Sequence, residues 1–228
     1  MPTAKPDVKA RGPVAPVKTA KPGSPASVPP SPPAPAGPMF QRQDWLAFAV
    51  TTLIAMVGYL WTLAPDVTLE DSGELAVASY YAGVPHPPGY PVWTLYTWLF
   101  TVILPFSNIA WRVGVSSAVA AALSSGVLAM MVSRVSSLML DSLDPKKLLE
   151  AARQRGISVV SGVAAGLLIA FNGFMWSQAV IVEVYTLSVL SLVLTLVFLM
   201  HYVYAPHQRR YLYWAAFMFG IAFTNHQT

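Results

Sequence analysis

Long apolar runs separated by short polar clusters dominate this chain. Residues 45–63, WLAFAVTTLIAMVGYLWTL, carry no charge and are long enough as a helix to cross a hydrocarbon core of about 30 Å. Trp45, Tyr59 and Trp61 lie near the ends of the run, where aromatic rings favour the membrane interface. Runs near 113–133, 157–176 and 184–204 predict three more spans, and 211–224, next to Arg209 and Arg210, predicts a fifth. The pattern is that of an all-α, polytopic transmembrane helix bundle.

The run 89–104, GYPVWTLYTWLFTVIL, is apolar but short and is bracketed by Pro88, Pro91 and Pro105. Charge decides its placement. If it does not cross, 13 of the 14 basic residues share one side, with Arg112 as the exception. If it crosses, the cluster from Arg134 to Arg155 moves to the other side and the bias disappears. The run therefore reads as a helix in the outer interface, and the amino terminus as cytoplasmic. A second short helix is expected over 72–82.

Composition sharpens the class. The chain has 228 residues, 55% of them hydrophobic and 11% charged, with a mean hydropathy of +0.52. So few charges cannot coat a water-facing surface. The net charge of +4 sits in short clusters beside apolar runs, a topology signal with no nucleic-acid partner implied. With no cysteine, disulfides and thiol chemistry are excluded. Residues 1–43 differ in kind: the first 39 hold 12 of the 20 prolines and five bases, and read as a disordered cytoplasmic tail. Residues 44–228 form the membrane domain. The sequence stops at Thr228, where a span reaches the outer surface, so the expectation is an incomplete bundle that is inactive by itself.

This topology collects every unusual polar cluster on the outer face. They are Thr68-Leu69-Glu70-Asp71-Ser72-Gly73-Glu74, His86-Pro87-Pro88-Gly89-Tyr90-Pro91, Trp176-Ser177-Gln178 with Glu183-Val184-Tyr185, and Asn225-His226-Gln227-Thr228. Plainer readings stand beside a functional one. Asp71 fits an N-cap, Thr68 and Asp71 fit a capping box, and Gly83 fits a helix stop. His86 between prolines fits a rigid turn, Glu183 fits headgroup depth, and Asn225 and His226 fit simple interface residues. Against these, three acids within five residues repel one another unless something uses them.

No phosphate-loop, dinucleotide or HExxH motif occurs, and no serine pairs with a His and an Asp. A carboxylate at a membrane surface suits general-base catalysis, taking the proton of an acceptor hydroxyl as it attacks the anomeric carbon of a lipid-phosphate sugar. The leaving phosphate then needs stabilisation, for which Arg112, His86, His226 and backbone amides are the outer candidates.

The four motifs, in order and spacing, resemble a bacterial and eukaryotic family of membrane proteins that includes a transmembrane protein O-mannosyltransferase. The resemblance covers about residues 44–228 and leaves out the proline-rich tail. It implies a C-type glycosyltransferase fold whose first external loop carries two interfacial helices, here 72–82 and 89–104. It carries the catalytic acid onto Asp71, with Glu70 as competitor. Glu74, His86, Tyr90, Gln178, Glu183, Tyr185, Asn225 and His226 follow as residues facing the substrate.

The implied donor is a polyprenyl- or dolichyl-phosphate sugar such as mannose, transferred with inversion to a protein or glycan hydroxyl. No cofactor is assigned; a divalent metal stays open, with no metal ligand named. The membrane is the bacterial inner membrane, or the endoplasmic reticulum in a eukaryote. Two alternatives from other classes are a transporter or lipid flippase working through intramembrane carboxylates, and a non-catalytic scaffold docking through its tail.

Overall fold

A computed structural model describes residues 37–144 and 149–225. Eight helices follow in order: α1 (Arg42–Thr62), α2 (Ser72–Tyr81), α3 (Pro91–Ile103), α4 (Ile109–Leu143), α5 (Ala151–Ala170), α6 (Gly173–Ala179), α7 (Tyr185–Tyr204) and α8 (Arg210–Asn225). There is no strand among the described residues, and the protein is an all-α membrane helix bundle. The tail expectation for residues 1–36 lies outside the described residues.

Helix α4 is the axis. It packs against α1, α5, α7, α3, α2 and α6. Its buried face is built from small residues, including Ala118, Ala121, Ala122, Ser125, Gly126, Ala129 and Ser133. In lipid no hydrophobic force draws helices together, so close backbone packing over small side chains does that work. Gly162 and Gly166 on α5 complete the fit: a β-carbon at Gly162 would sit 2.5 Å from the Ala129 carbonyl, and one at Gly166 2.7 Å from Thr51. Two serines of this α4 face spend their hydroxyls on their own helix, Ser124 on Ala120 and Ser125 on Ala121.

Polar ties hold the ends. Asp44, fully buried, accepts from the Gln41 amide at 2.8 Å and from Ser133 at 2.6 Å, joining α1 to α4. At the far end Tyr59 donates to the Ala170 carbonyl at 2.7 Å, and Trp176 donates to Thr62 at 3.1 Å.

Helices α1, α4 and α7 are long and apolar enough to cross a membrane. The expected span 157–176 is not one straight helix. It breaks into α5 and α6 with a 67° bend. Asn172 causes this by accepting from the Met175 amide at 2.9 Å, which starts a new helix, while its own amide caps Ile169. The pair counts as a fourth span if taken together. Helix α8, over the expected fifth span, has 16 described residues, about 24 Å of rise.

The two short helices fall where the sequence puts them, at 72–81 and 91–103. One detail differs: Ala82, not Gly83, takes the left-handed position that ends α2, at φ 48°. The Gly83 amide then reaches back to the Ala78 carbonyl at 2.8 Å.

Gly162→Ala is expected to lower the thermal unfolding midpoint, since a carbonyl cannot retreat from the new methyl, at a cost of about 1–3 kcal/mol. Gly156→Ala on the same helix, with nothing within 4 Å of the added carbon, serves as the control and should hold or raise it. Equal midpoints in the two variants would show that this close approach does not limit stability.

Candidate functional site

Three chain segments meet at the end of the bundle where α1 stops and α7 begins. The first is the turn into α2. Glu70 sits in left-handed backbone at φ 67°, a conformation that side-chain-bearing residues rarely adopt. Asp71 occupies the N-cap position of α2 but its side chain makes no cap bond. Ser72 closes the turn instead, accepting from the Thr68 amide at 2.9 Å and donating to the Thr68 carbonyl at 2.7 Å. The expected Thr68–Asp71 capping box therefore does not form, and the exposed Asp71 carboxylate has no structural duty there.

The second segment is HPPGYP. It carries a cis peptide bond between Pro87 and Pro88 and closes with the Gly89 amide donating to the His86 carbonyl at 3.0 Å. Gly89 is at φ +98°, where a β-carbon would be strained and would meet Val84 at 3.0 Å. Tyr90, again left-handed, opens α3 with Pro91 at its first position.

Glu74 ties these two segments together. Its carboxylate accepts the His86 amide at 2.6 Å and faces His86 Nδ1 at 3.1 Å. That double hold turns Nε2 toward the Tyr90 hydroxyl, 3.3 Å away, and toward Asp71 Oδ2 at 3.9 Å. With Nδ1–H on Glu74, the neutral ring accepts at Nε2; when protonated, it donates there. The two bonds from His86 hold the Glu74 carboxyl below its ordinary pKa. Burial pushes the Tyr90 phenol up, and the charges of Glu183, Asp71 and Glu74 add to the shift.

The third segment precedes α7. Glu183 is 6% exposed, and its Oε2 accepts the Val184 amide at 2.9 Å. Burial raises its pKa, the Val184 bond opposes that, and the nearby negative charges of Glu70 and Asp71 raise it further. Two residues outside the sequence motifs hold this segment. Trp93 Nε1 donates to the Glu183 carbonyl at 3.1 Å, and Ser117 donates to the same carbonyl at 3.3 Å. Nothing in the local pattern singles out either one, because both matter only through contacts some 66 to 90 residues away along the chain.

Asp71, Glu74, His86, Tyr90 and Glu183 thus form one electrostatic cluster, and Tyr185 adds to the shift at Tyr90. Gln178 lies on α6, bonded through its amide to Ser177 at 3.4 Å. Asn225 is fully buried between α8 and α7, donating to Ser191 at 3.2 Å. His226 lies outside the described residues. Arg112 is already committed: its guanidinium donates to the carbonyls of Thr101, Phe106 and Ser107 at 2.9–3.2 Å, closing the end of α3. It cannot also serve a phosphate without giving these up.

Asp71, Glu74 and His86 offer ligand atoms within 4.8 Å of one another, a donor set and spacing that a divalent cation accepts. Beside the cluster, a cavity of about 420 Å³ lies between α2 and α3, lined largely by apolar groups such as Val84, Pro88, Pro91 and Leu95.

The fold is thus an all-helical membrane bundle with a carboxylate–imidazole cluster at one end and an apolar cavity beside it. Residues 71–228 match the family described as the protein O-mannosyl-transferase TMEM260 N-terminal domain, and the chain belongs to that family. It is similar to protein O-mannosyl-transferase TMEM260 of Mus musculus, 29% identical over 140 residues, which is 61% of this chain and 17% of that protein. It is also similar to protein O-mannosyl-transferase tmem260 of Dictyostelium discoideum, 35% identical over 82 residues, 35% of this chain and 10% of that protein. The chain thus matches only 10–17% of the length of these curated relatives. No solved structure matches the chain significantly.

The raised pKa of Glu183 sets a testable stability profile. The folded state holds the Glu183 proton more tightly than the unfolded chain, so its contribution falls as pH rises from the ordinary carboxylate range through the raised folded value. Glu183→Gln keeps an acceptor for Val184 and removes the charge. The variant should melt above wild type at about pH 7.5, with the gap closing toward about pH 4. A gap that is absent, or unchanged between these values, contradicts a buried charged carboxylate.

Proposed function

We propose that the complete protein transfers a sugar, mannose by the names of its relatives, from a polyprenyl- or dolichyl-phosphate donor to a protein hydroxyl at the bundle end bearing Asp71. The single observation that carries the reading is the Asp71 carboxylate. It heads α2 exposed, unused as a cap, and 3.9 Å from His86.

In the reaction, Asp71 takes the proton of the acceptor hydroxyl as that oxygen attacks the anomeric carbon. The bond from that carbon to the phosphate oxygen breaks, and its electron pair leaves with the phosphate, so the configuration inverts. His86, oriented by Glu74, donates from Nε2 to the departing phosphate when protonated. The apolar cavity beside HPPGYP suits the first isoprene units of the donor. Glu70 is the alternative base, and Glu183 and Tyr185 line the donor's approach. Alternatively, a divalent cation held by Asp71, Glu74 and the neutral ring of His86 would screen the phosphate charge in place of the protonated imidazole.

The reading puts this face on the non-cytoplasmic side of a multi-pass membrane protein. The transporter alternative has less support, because the carboxylates of the cluster lie at helix ends instead of in mid-span.

The test is sugar transfer in membranes containing the full-length protein, with radiolabelled polyprenyl-phosphate mannose as donor. Asp71→Asn at matched expression is expected to lose about 100-fold or more, with donor binding kept. Activity that persists in Asp71→Asn removes it as the base. The absence of transfer by wild type from any lipid-linked sugar overturns the reading as a whole.

A further inference from the structure

At the opposite end of the bundle, where α1 begins and α7 ends, lies a second cavity of about 380 Å³. It is bounded by the segment before α1 and by the α7–α8 turn. Arg210, His201, His207, Tyr204 and Gln208 supply its polar groups, and Phe40 and Tyr211 its aromatic walls. No acidic side chain lines it among the described residues.

Behind the wall sits a buried guanidinium with no counter-ion among the described residues. Arg134 on α4 is 4% exposed, donates to the Tyr204 hydroxyl at 3.3 Å and lies 5.4 Å from the Tyr204 ring centroid. Its Nε–H has no hydrogen-bond partner, and it makes no ion pair among the described residues. A guanidinium removed from water and left unpaired is costly, and an anion within reach offsets that cost. Tyr204 connects the two, since it takes a hydrogen bond from Arg134 and faces the cavity. Arg210 stands exposed at the start of α8, where the helix dipole is also positive; one nitrogen donates to Gln208 at 2.8 Å and to the Tyr211 hydroxyl at 3.4 Å, which holds the guanidinium over the Tyr211 ring at the cavity. The exposed Trp45 on the cavity rim marks headgroup depth.

We propose that this cavity binds a phosphate-ester anion at the membrane surface opposite the Asp71 cluster. Arg210 meets the phosphate directly, and the Arg134–Tyr204 pair supplies positive potential from behind. The chemistry fits the headgroup of an anionic phospholipid and also free phosphate, and it does not depend on the transferase reading.

The full-length protein is reconstituted into discs of phosphatidylcholine alone, of phosphatidylcholine with phosphatidylglycerol, and of phosphatidylcholine with added inorganic phosphate. Thermal midpoints are compared, and lipid retained after detergent washing is counted by native mass spectrometry. Wild type should retain phosphatidylglycerol and melt higher with it. Arg210→Gln should retain roughly ten-fold less, the loss of one charged hydrogen bond. Arg210→Lys should recover part of the retention, and Tyr204→Phe, which keeps the ring and loses the hydroxyl, should weaken it. Stabilisation by inorganic phosphate that needs Arg210 supports the site with a soluble anion as its ligand. Equal lipid retention by wild type and Arg210→Gln, with no effect of phosphate, overturns the proposal.

Discussion

The close approach of α1 and α5 to the small-residue face of α4 is the constraint on which the rest depends. Without hydrophobic drive between helices in lipid, this bundle is held by backbones that nearly touch, at Gly126, Gly162 and Gly166. The contact fixes where α1 ends relative to the break after α5, and Tyr59 and Trp176 bridge that gap. The loops leaving α1 and entering α7 are thereby brought to one end of the bundle. The candidate site exists because those loops cannot separate.

Within that frame the site is an arrangement of charge. Glu74 holds His86 from both backbone and ring, and that leaves Nε2 turned toward Asp71 and Tyr90. Arg112, the obvious cation at this end, is taken up by the carbonyls at the end of α3. The His86 imidazole, and not Arg112, is thus the basic group turned into the cluster among the described residues at this end, and Glu74 sets its orientation. The left-handed backbone at Glu70 and at Tyr90 is local conformational cost borne at the two segments that present Asp71 and His86.

Buried charged groups are treated differently from place to place in the bundle. Asp44 is fully hydrogen-bonded, by Gln41 and Ser133, and serves as structural glue. Glu183 keeps one strong bond and a raised pKa near other acids, and Arg134 keeps a bare Nε–H near a cavity. Buried groups left partly unsatisfied are expensive, so each points to something beyond packing.

Much of the architecture was legible in the chain because the membrane imposes it. Apolar runs of helix-spanning length can hardly be anything else in lipid, so α1, α4 and α7 followed from hydropathy, and short length with flanking prolines marked α3 as different. The family motifs also marked Asp71, Glu74, His86 and Glu183 as residues to watch. Tertiary structure alone decided how they are used. Whether Asp71 caps its helix depended on Ser72 closing the turn first. The bend at Asn172 was present as an Asn-Gly pair, yet a capping side chain competes with helix continuation, and only packing settles which prevails. Trp93 and Ser117 carried no signal, and Arg112 carried a misleading one. A hydrogen-bond partner distant in sequence is fixed by how helices cross, and no local pattern encodes that.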